Sequence, residues 1–134
     1  QCSFFVLAQV HIGVSPDAST SYWLPRAVGL KRAKEIALLG GRFSAEDAER
    51  WGLVNRVVDD SAFDASVAKL MQQLAHGPAR ALGETKRLFN MSLNHGIGEQ
   101  LEAEALAFSA CTTAADFGEG LNAFIEKRKP RFGA

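Results

Sequence analysis

The spacing of apolar residues changes along this chain. Ser3 to Gly13 (SFFVLAQVHIG) is an almost unbroken apolar run, which predicts a buried strand with neighbours on both sides. A turn signal follows at Ser15-Pro16-Asp17, and the small residues Ala18 to Ser21 suit the first turn of a helix. Leu24-Pro25-Arg26 is expected to interrupt any long helix there. Leu30 to Leu39 has helical composition and runs into the stop Gly40-Gly41. Ser44-Ala45-Glu46-Asp47 predicts a capping box with Asp in place of Glu, opening a short helix that closes near Gly52. Leu53 to Val58 (LVNRVV) then predicts a second strand.

From Asp60 onward the period is helical. Phe63, Val67, Leu70, Met71 and Leu74 form one stripe, on a helix that stops around His76-Gly77-Pro78. A second helix places Leu82, Thr85, Leu88 and Phe89 on one face. A third, after Gly96 and Gly98, carries Leu101, Ala105 and Phe108. A fourth carries Phe117, Leu121, Phe124 and Ile125, with Pro130 as its end. Amphipathic helices in series with short loops read as a packing or oligomerisation layer. The sequence contains no internal repeat and no low-complexity segment.

Composition narrows the function classes. With 134 residues and 47% hydrophobic content the chain can bury one modest core. Basic and acidic residues number 15 each, so no overall field recruits nucleic acid or an anionic membrane. Cys2 and Cys111 lie far apart without metal-ligand or redox spacing, which predicts no metal site and a reducing, cytoplasmic compartment. No apolar run approaches the roughly 18 residues of a membrane span. Gln1 stands where a start methionine would be, and the apolar run behind it needs partners. The expectation is therefore the back portion of a larger protein.

Two blocks bring a family into view. Ile12 to Val58 (IGVSPDASTSYWLPRAVGLKRAKEIALLGGRFSAEDAERWGLVNRVV) resembles the crotonase superfamily, the enoyl-CoA hydratases and isomerases. The pattern is an IG pair, a PD followed by small residues, LPR, VG, a helix ending in glycine, and SAxxAxxxGLVxxVV. Asp116, Glu119-Gly120, Ala123-Phe124, Glu126 to Pro130 and Phe132 resemble the end of the same family. The resemblance implies an α/β crotonase-like fold (the ClpP/crotonase spiral core), present here as a mostly α-helical C-terminal fragment with about two short strands. Residues 1–59 would close the α/β core, and residues 60–134 would form the helical oligomerisation module.

The resemblance also implies a chemistry. Such enzymes hold an acyl-CoA thioester and generate an enolate, whose charge two backbone N–H donors stabilise. Those donors belong to the front half of the family or its junction, and no matching glycine-rich segment occurs here, so the fragment alone is expected to be inactive or nearly so. Family hydratases carry an acid three residues before the isoleucine of the IG pair, where this chain has Gln9. An amide exchanges no proton near neutral pH, which leaves substrate hydrogen bonding or an ordinary polar residue at a strand end. Asp17 lies at a position that can carry the working carboxylate in members that move double bonds. It is also a plausible turn and capping residue. Isomerisation is therefore favoured over hydration. Ser19-Thr20 depart from the glycine usual in the family.

Phe124 and Lys127 match family positions that reach the coenzyme A of a neighbouring subunit, and Phe108 matches a further position near the nucleotide. An aromatic face suits adenine and an ammonium suits phosphate. Core packing for the two phenylalanines, and a solvated basic tail for Lys127, Arg128, Lys129 and Arg131, are the alternatives. His11 would face opposite to Val10 if the strand alternates, His76 and His95 would serve loops or caps, Cys111 would be a small buried residue, and Trp23 and Trp51 would anchor packing. The implied partners are an acyl-CoA substrate, with no covalently bound cofactor, and sister subunits in a trimer or hexamer. A non-catalytic helical assembly module is the alternative, and a basic-tailed nucleic-acid binder is disfavoured by the neutral charge.

Overall fold

Capping and turn chemistry account for most of the element boundaries. The computed structural model describes residues 3–133. Gln1 and Cys2, on which the start and one cysteine expectation fall, lie outside the described residues. The chain forms two compact units, Gln1–Phe63 and Asp64–Ala134.

The first unit opens with β1 (Phe4–Phe5), which pairs antiparallel with β2 (Phe43–Ser44) in the register Phe4 to Ser44 and Phe5 to Phe43. The long buried strand expected over Ser3 to Gly13 is thus corrected to two residues. After Leu7 the chain closes its amides locally in a 3-10 helix, Ala8–Ile12, with Gly13 N–H donating to the Val10 carbonyl and Val14 N–H to that of Gln9. A segment whose donors are satisfied within itself has no need of a second strand.

Helix α1 (Thr20–Val28) runs through Pro25, which was expected to interrupt it. Pro25 has no N–H for the carbonyl of Ser21 four residues back, but its fixed φ is helical, and the helix persists for three more residues. Gly29 then turns the chain at φ 79° and ψ 152°, a conformation essentially reserved for glycine. Helix α2 (Leu30–Leu39) ends at Gly40, and the Gly40 N–H donates to the Ile36 carbonyl. Both limits agree with the sequence pattern.

Helix α3 (Ala45–Arg50) carries the expected box. Asp47 N–H donates to Ser44 Oγ at 3.0 Å and Ser44 N–H to Asp47 Oδ2 at 3.4 Å. That backbone donor, together with Arg50, holds the Asp47 carboxyl below its ordinary range. The strand expected over Leu53 to Val58 is absent. Its amides are already committed, those of Leu53 and Val54 to the Ala48 carbonyl and that of Val57 to Glu49 Oε1 at 2.9 Å. Leu53 and Val54 still pack on the core, which is built from Leu24, Ala33, Ile36, Phe43 and Ala48. Phe43 stacks on Phe5 at 5.5 Å and tilts on Trp51 at 5.1 Å, so Trp51 is an anchor as expected. Trp23 is not part of that core; it is half exposed and its ring meets that of Tyr22 edge-on.

The remaining helices are α4 (Asp60–Ala75), α5 (Ala79–Ser92), α6 (Ile97–Thr112) and α7 (Ala115–Ile125). The last ends five residues before Pro130, the expected terminator. In the second unit α5 packs on α6 and α6 on α7, and Ala107 on α6 and Ala123 on α7 are buried. The larger apolar side chains of the stripes remain largely exposed.

Candidate active site

Gln9 and Asp17, eight residues apart in sequence, meet in space. The 3-10 helix presents Gln9, and the turn at Pro16-Asp17 brings the carboxylate back to it. Gln9 Nε2 donates to Asp17 Oδ1 at 3.2 Å. Only the nitrogen end of an amide can donate to a carboxylate, so this contact fixes which way the amide points. Gln9 Oε1 is consequently buried with no hydrogen-bond partner among the described residues, an arrangement that costs about 1–3 kcal/mol. Asp17 itself is exposed, and its carbonyl accepts from the Thr20 N–H at 2.9 Å.

The turn holding Asp17 is strained. Ala18 and Ser19 adopt φ of 47° and 65°, left-handed values that cost a residue bearing Cβ roughly 1–2 kcal/mol. Ser19 is itself one of the two residues, Ser19-Thr20, that depart from the glycine usual in the family. Ser19 stands at the N-cap of α1, yet its side chain makes no capping bond. Asp17 likewise makes no side-chain cap, and its carboxylate is held by Gln9 instead.

His11 anchors the other side of this arrangement. Its Nε2 lies 2.9 Å from the Gly40 carbonyl oxygen, joining the 3-10 helix to the end of α2. A Cβ at Gly40 would fall 2.6 Å from His11 Nε2 and 2.7 Å from Val10 Cγ1, so a side chain there would displace His11 or Val10 and strain a backbone held at φ 59°. Val10 and His11 therefore both reach Gly40. The opposite facing expected of alternating strand side chains does not occur, because the segment is helical. Sequence reasoning missed Gly40 as a contact, having read it only as a helix stop.

In the second unit the nucleotide candidates stand at the surface. Phe108 on α6 is 70% exposed and Phe124 on α7 is 81% exposed, so neither is a core residue of the unit. Lys127 follows α7 with φ 55°. Its N–H donates to the Phe124 carbonyl at 3.3 Å and that of Arg128 to the Ala123 carbonyl at 3.0 Å, the bond pair of a Schellman cap whose left-handed position usually holds glycine. The basic tail is not simply solvated. Arg128 Nη1 and Nη2 donate to the two Glu119 oxygens at 2.6 and 2.9 Å, and the Arg131 N–H donates to Glu119 Oε1 at 2.7 Å. The Arg128 bonds, reinforced by the Arg131 amide, lower the Glu119 pKa to about 2. Gly133 N–H donates to Asp116 Oδ1 at 3.1 Å. Glu119 and Asp116 were visible only as members of a motif. An acid on α7 facing a run of cations one turn beyond the helix was the available signal.

Among the other candidates, His76 Nδ1 lies 2.8 Å from the Gln72 carbonyl oxygen and closes its own helix, and His95 Nδ1 lies 3.2 Å from Gln100 Oε1. Cys111 is a half-buried free thiol bordering an apolar cavity of about 290 Å³ with Ala81, Phe117, Leu121 and Phe132. No cluster of metal-ligating side chains occurs among the described residues, and no described helix is long and apolar enough to cross a membrane.

With this geometry in view, comparison with known proteins is decisive. The family model for enoyl-CoA hydratase/isomerase matches residues 1–134. The chain belongs to that family. A Rhodobacter capsulatus protein named "probable enoyl-CoA hydratase" is 39% identical over 98% of this chain and 51% of its own length. The 1,2-epoxyphenylacetyl-CoA isomerase of Escherichia coli is 37% identical over 96% of this chain and 49% of its own. Among solved structures, enoyl-CoA hydratase subunit I of Geobacillus kaustophilus superposes with a TM-score of 0.92 at 35% identity, covering 97% of this chain and 51% of that one. The two-stranded, mostly helical architecture is thus part of a crotonase fold, and the chain spans about half the length of the relatives it matches.

Proposed function

We propose that the whole protein transforms acyl-CoA thioesters through an enolate, with Asp17 carrying the proton, and that it shifts a double bond rather than adding water. The observation carrying this reading is that the one carboxylate of the first-unit site, Asp17, is hydrogen-bonded to an amide, Gln9, where two-carboxylate hydration would need a second acid. A relative named trans-2-decenoyl-[acyl-carrier-protein] isomerase, from Streptococcus mutans, supports the same direction.

The proposed step moves one proton twice. Asp17 takes it from C2 of a 3-enoyl thioester, the C–H electron pair passes into the conjugated system, and charge collects on the thioester oxygen as a dienolate. Protonated Asp17 then returns the proton to C4, leaving the double bond between C2 and C3, with no water consumed and no covalently bound cofactor. The N–H donors for the dienolate oxygen would come from residues outside this chain, so the 134 residues alone would be inactive. Phe108, Phe124 and Lys127 would contact coenzyme A, in part across a subunit boundary within a cytoplasmic trimer or hexamer.

In the whole protein, Asp17→Asn should lower turnover of 3-hexenoyl-CoA by about 10²- to 10⁴-fold, measured by absorbance of the conjugated product. Unchanged turnover would remove Asp17 from the mechanism. A second reading, a helical assembly module without catalytic duty, draws on the exposed stripes of α4 and α6. It predicts no turnover in any form of the protein.

A further inference from the structure

We propose that Gln9 is a positioning residue that holds the Asp17 carboxylate for proton transfer, an inference that rests on the reading of Asp17 given above. Three local sacrifices converge on this one carboxylate. The Gln9 amide is turned so that Nε2 reaches Asp17 Oδ1, and the consequence is a buried Oε1 left without a donor among the described residues. Ala18 and Ser19, which shape the turn just after Asp17, both occupy left-handed backbone. The 3-10 helix carrying Gln9 is itself tied down through His11 to the Gly40 carbonyl, at a glycine where a side chain would displace His11 or Val10.

Packing alone does not explain this arrangement. Asp17 is exposed, and a solvated carboxylate needs no amide partner for its own sake. The bond occupies Oδ1, so Oδ2 would be the oxygen that faces the reacting carbon, with the amide selecting which oxygen works and limiting rotation of the carboxylate. The other titratable group on the carrying segment is His11, whose Nε2 is engaged by Gly40. The proton carrier and its holder are therefore Asp17 and Gln9, and Gln9 exchanges no proton.

The test uses the whole protein and 3-hexenoyl-CoA, with kcat, KM and pH profiles for three variants. Gln9→Leu keeps the size and removes the donor. It should lower kcat by roughly 10- to 100-fold with KM within about threefold, because a displaced reacting group costs rate rather than binding. Gln9→Glu sets two carboxylates side by side, hydrogen-bonded only while they share one proton. Its turnover should fall as pH rises through that shared titration, a limb absent from the unsubstituted protein and one that a merely structural residue would not create. Gln9→Glu differs by one terminal group and stays informative if Gln9→Leu fails to fold, as judged by circular dichroism. Asp17→Asn separates the two levels. If it abolishes turnover while Gln9→Leu keeps kcat within twofold and Gln9→Glu shows no new limb, the positioning role is overturned and the proton carrier stands. If Asp17→Asn is fully active, both are overturned.

Discussion

Ser19 shows what backbone geometry adds to a residue that the sequence offers only as one of four small residues, Ala18 to Ser21, suited to a first helical turn. A serine after a turn and before a helix suggests a cap, yet its side chain caps nothing and its φ is 65°. Replacing it with glycine removes left-handed strain of about 1–2 kcal/mol and adds back about 0.5–1 kcal/mol of unfolded-state entropy. Ser19→Gly should therefore stabilise the protein by up to about 1.5 kcal/mol, read as a raised urea midpoint at unchanged slope. A loss of stability would show that the hydroxyl has a partner. The Gln9 and Asp17 pair was half legible at this scale. Both residues could be singled out by position, but their bond depended on the 3-10 helix, which an unbroken apolar run does not announce.

Among elements, the helices were legible and the strands were not, for one physical reason. An amphipathic helix satisfies its own backbone, so a repeating apolar stripe is nearly sufficient evidence for α4 to α7. A strand depends on amides elsewhere, and the Leu53 to Val58 amides had already found Ala48 and Glu49. The C-terminal tail is a similar case, where a basic run that reads as solvated is docked on α7 by Glu119. Because the folded Glu119 pKa of about 2 lies below its ordinary 4.5, the docking contributes fully above pH 4.5 and fades as pH falls toward 2. Amide exchange at Arg131 should lose protection across that window, and Glu119→Gln should lose it already at neutral pH. Protection unchanged at pH 2 would mean that other contacts hold the tail.

At the scale of the molecule, apolar area is left uncovered within each unit. Phe63 and Met71 on α4, Leu101 and Phe108 on α6, and Phe124 on α7 are all exposed. Areas of this kind favour association. Light scattering on the purified 134-residue chain should show species larger than a monomer whose share grows with concentration. A monodisperse monomer at high concentration would count against self-association. Family membership was legible from spaced motifs even though neither long strand survives in the structure, because the motifs mark turns, caps and glycines rather than strand length.

The tail carries a practical consequence. The ring of Phe132 lies close to Gly120, where a Cβ would sit 3.5 Å from it, while Glu119 and Asp116 grip the neighbouring amides. A fluorophore attached next to Phe132 would thus sit on a firm mount instead of a whipping leash, and its anisotropy would report the tumbling of the helical unit.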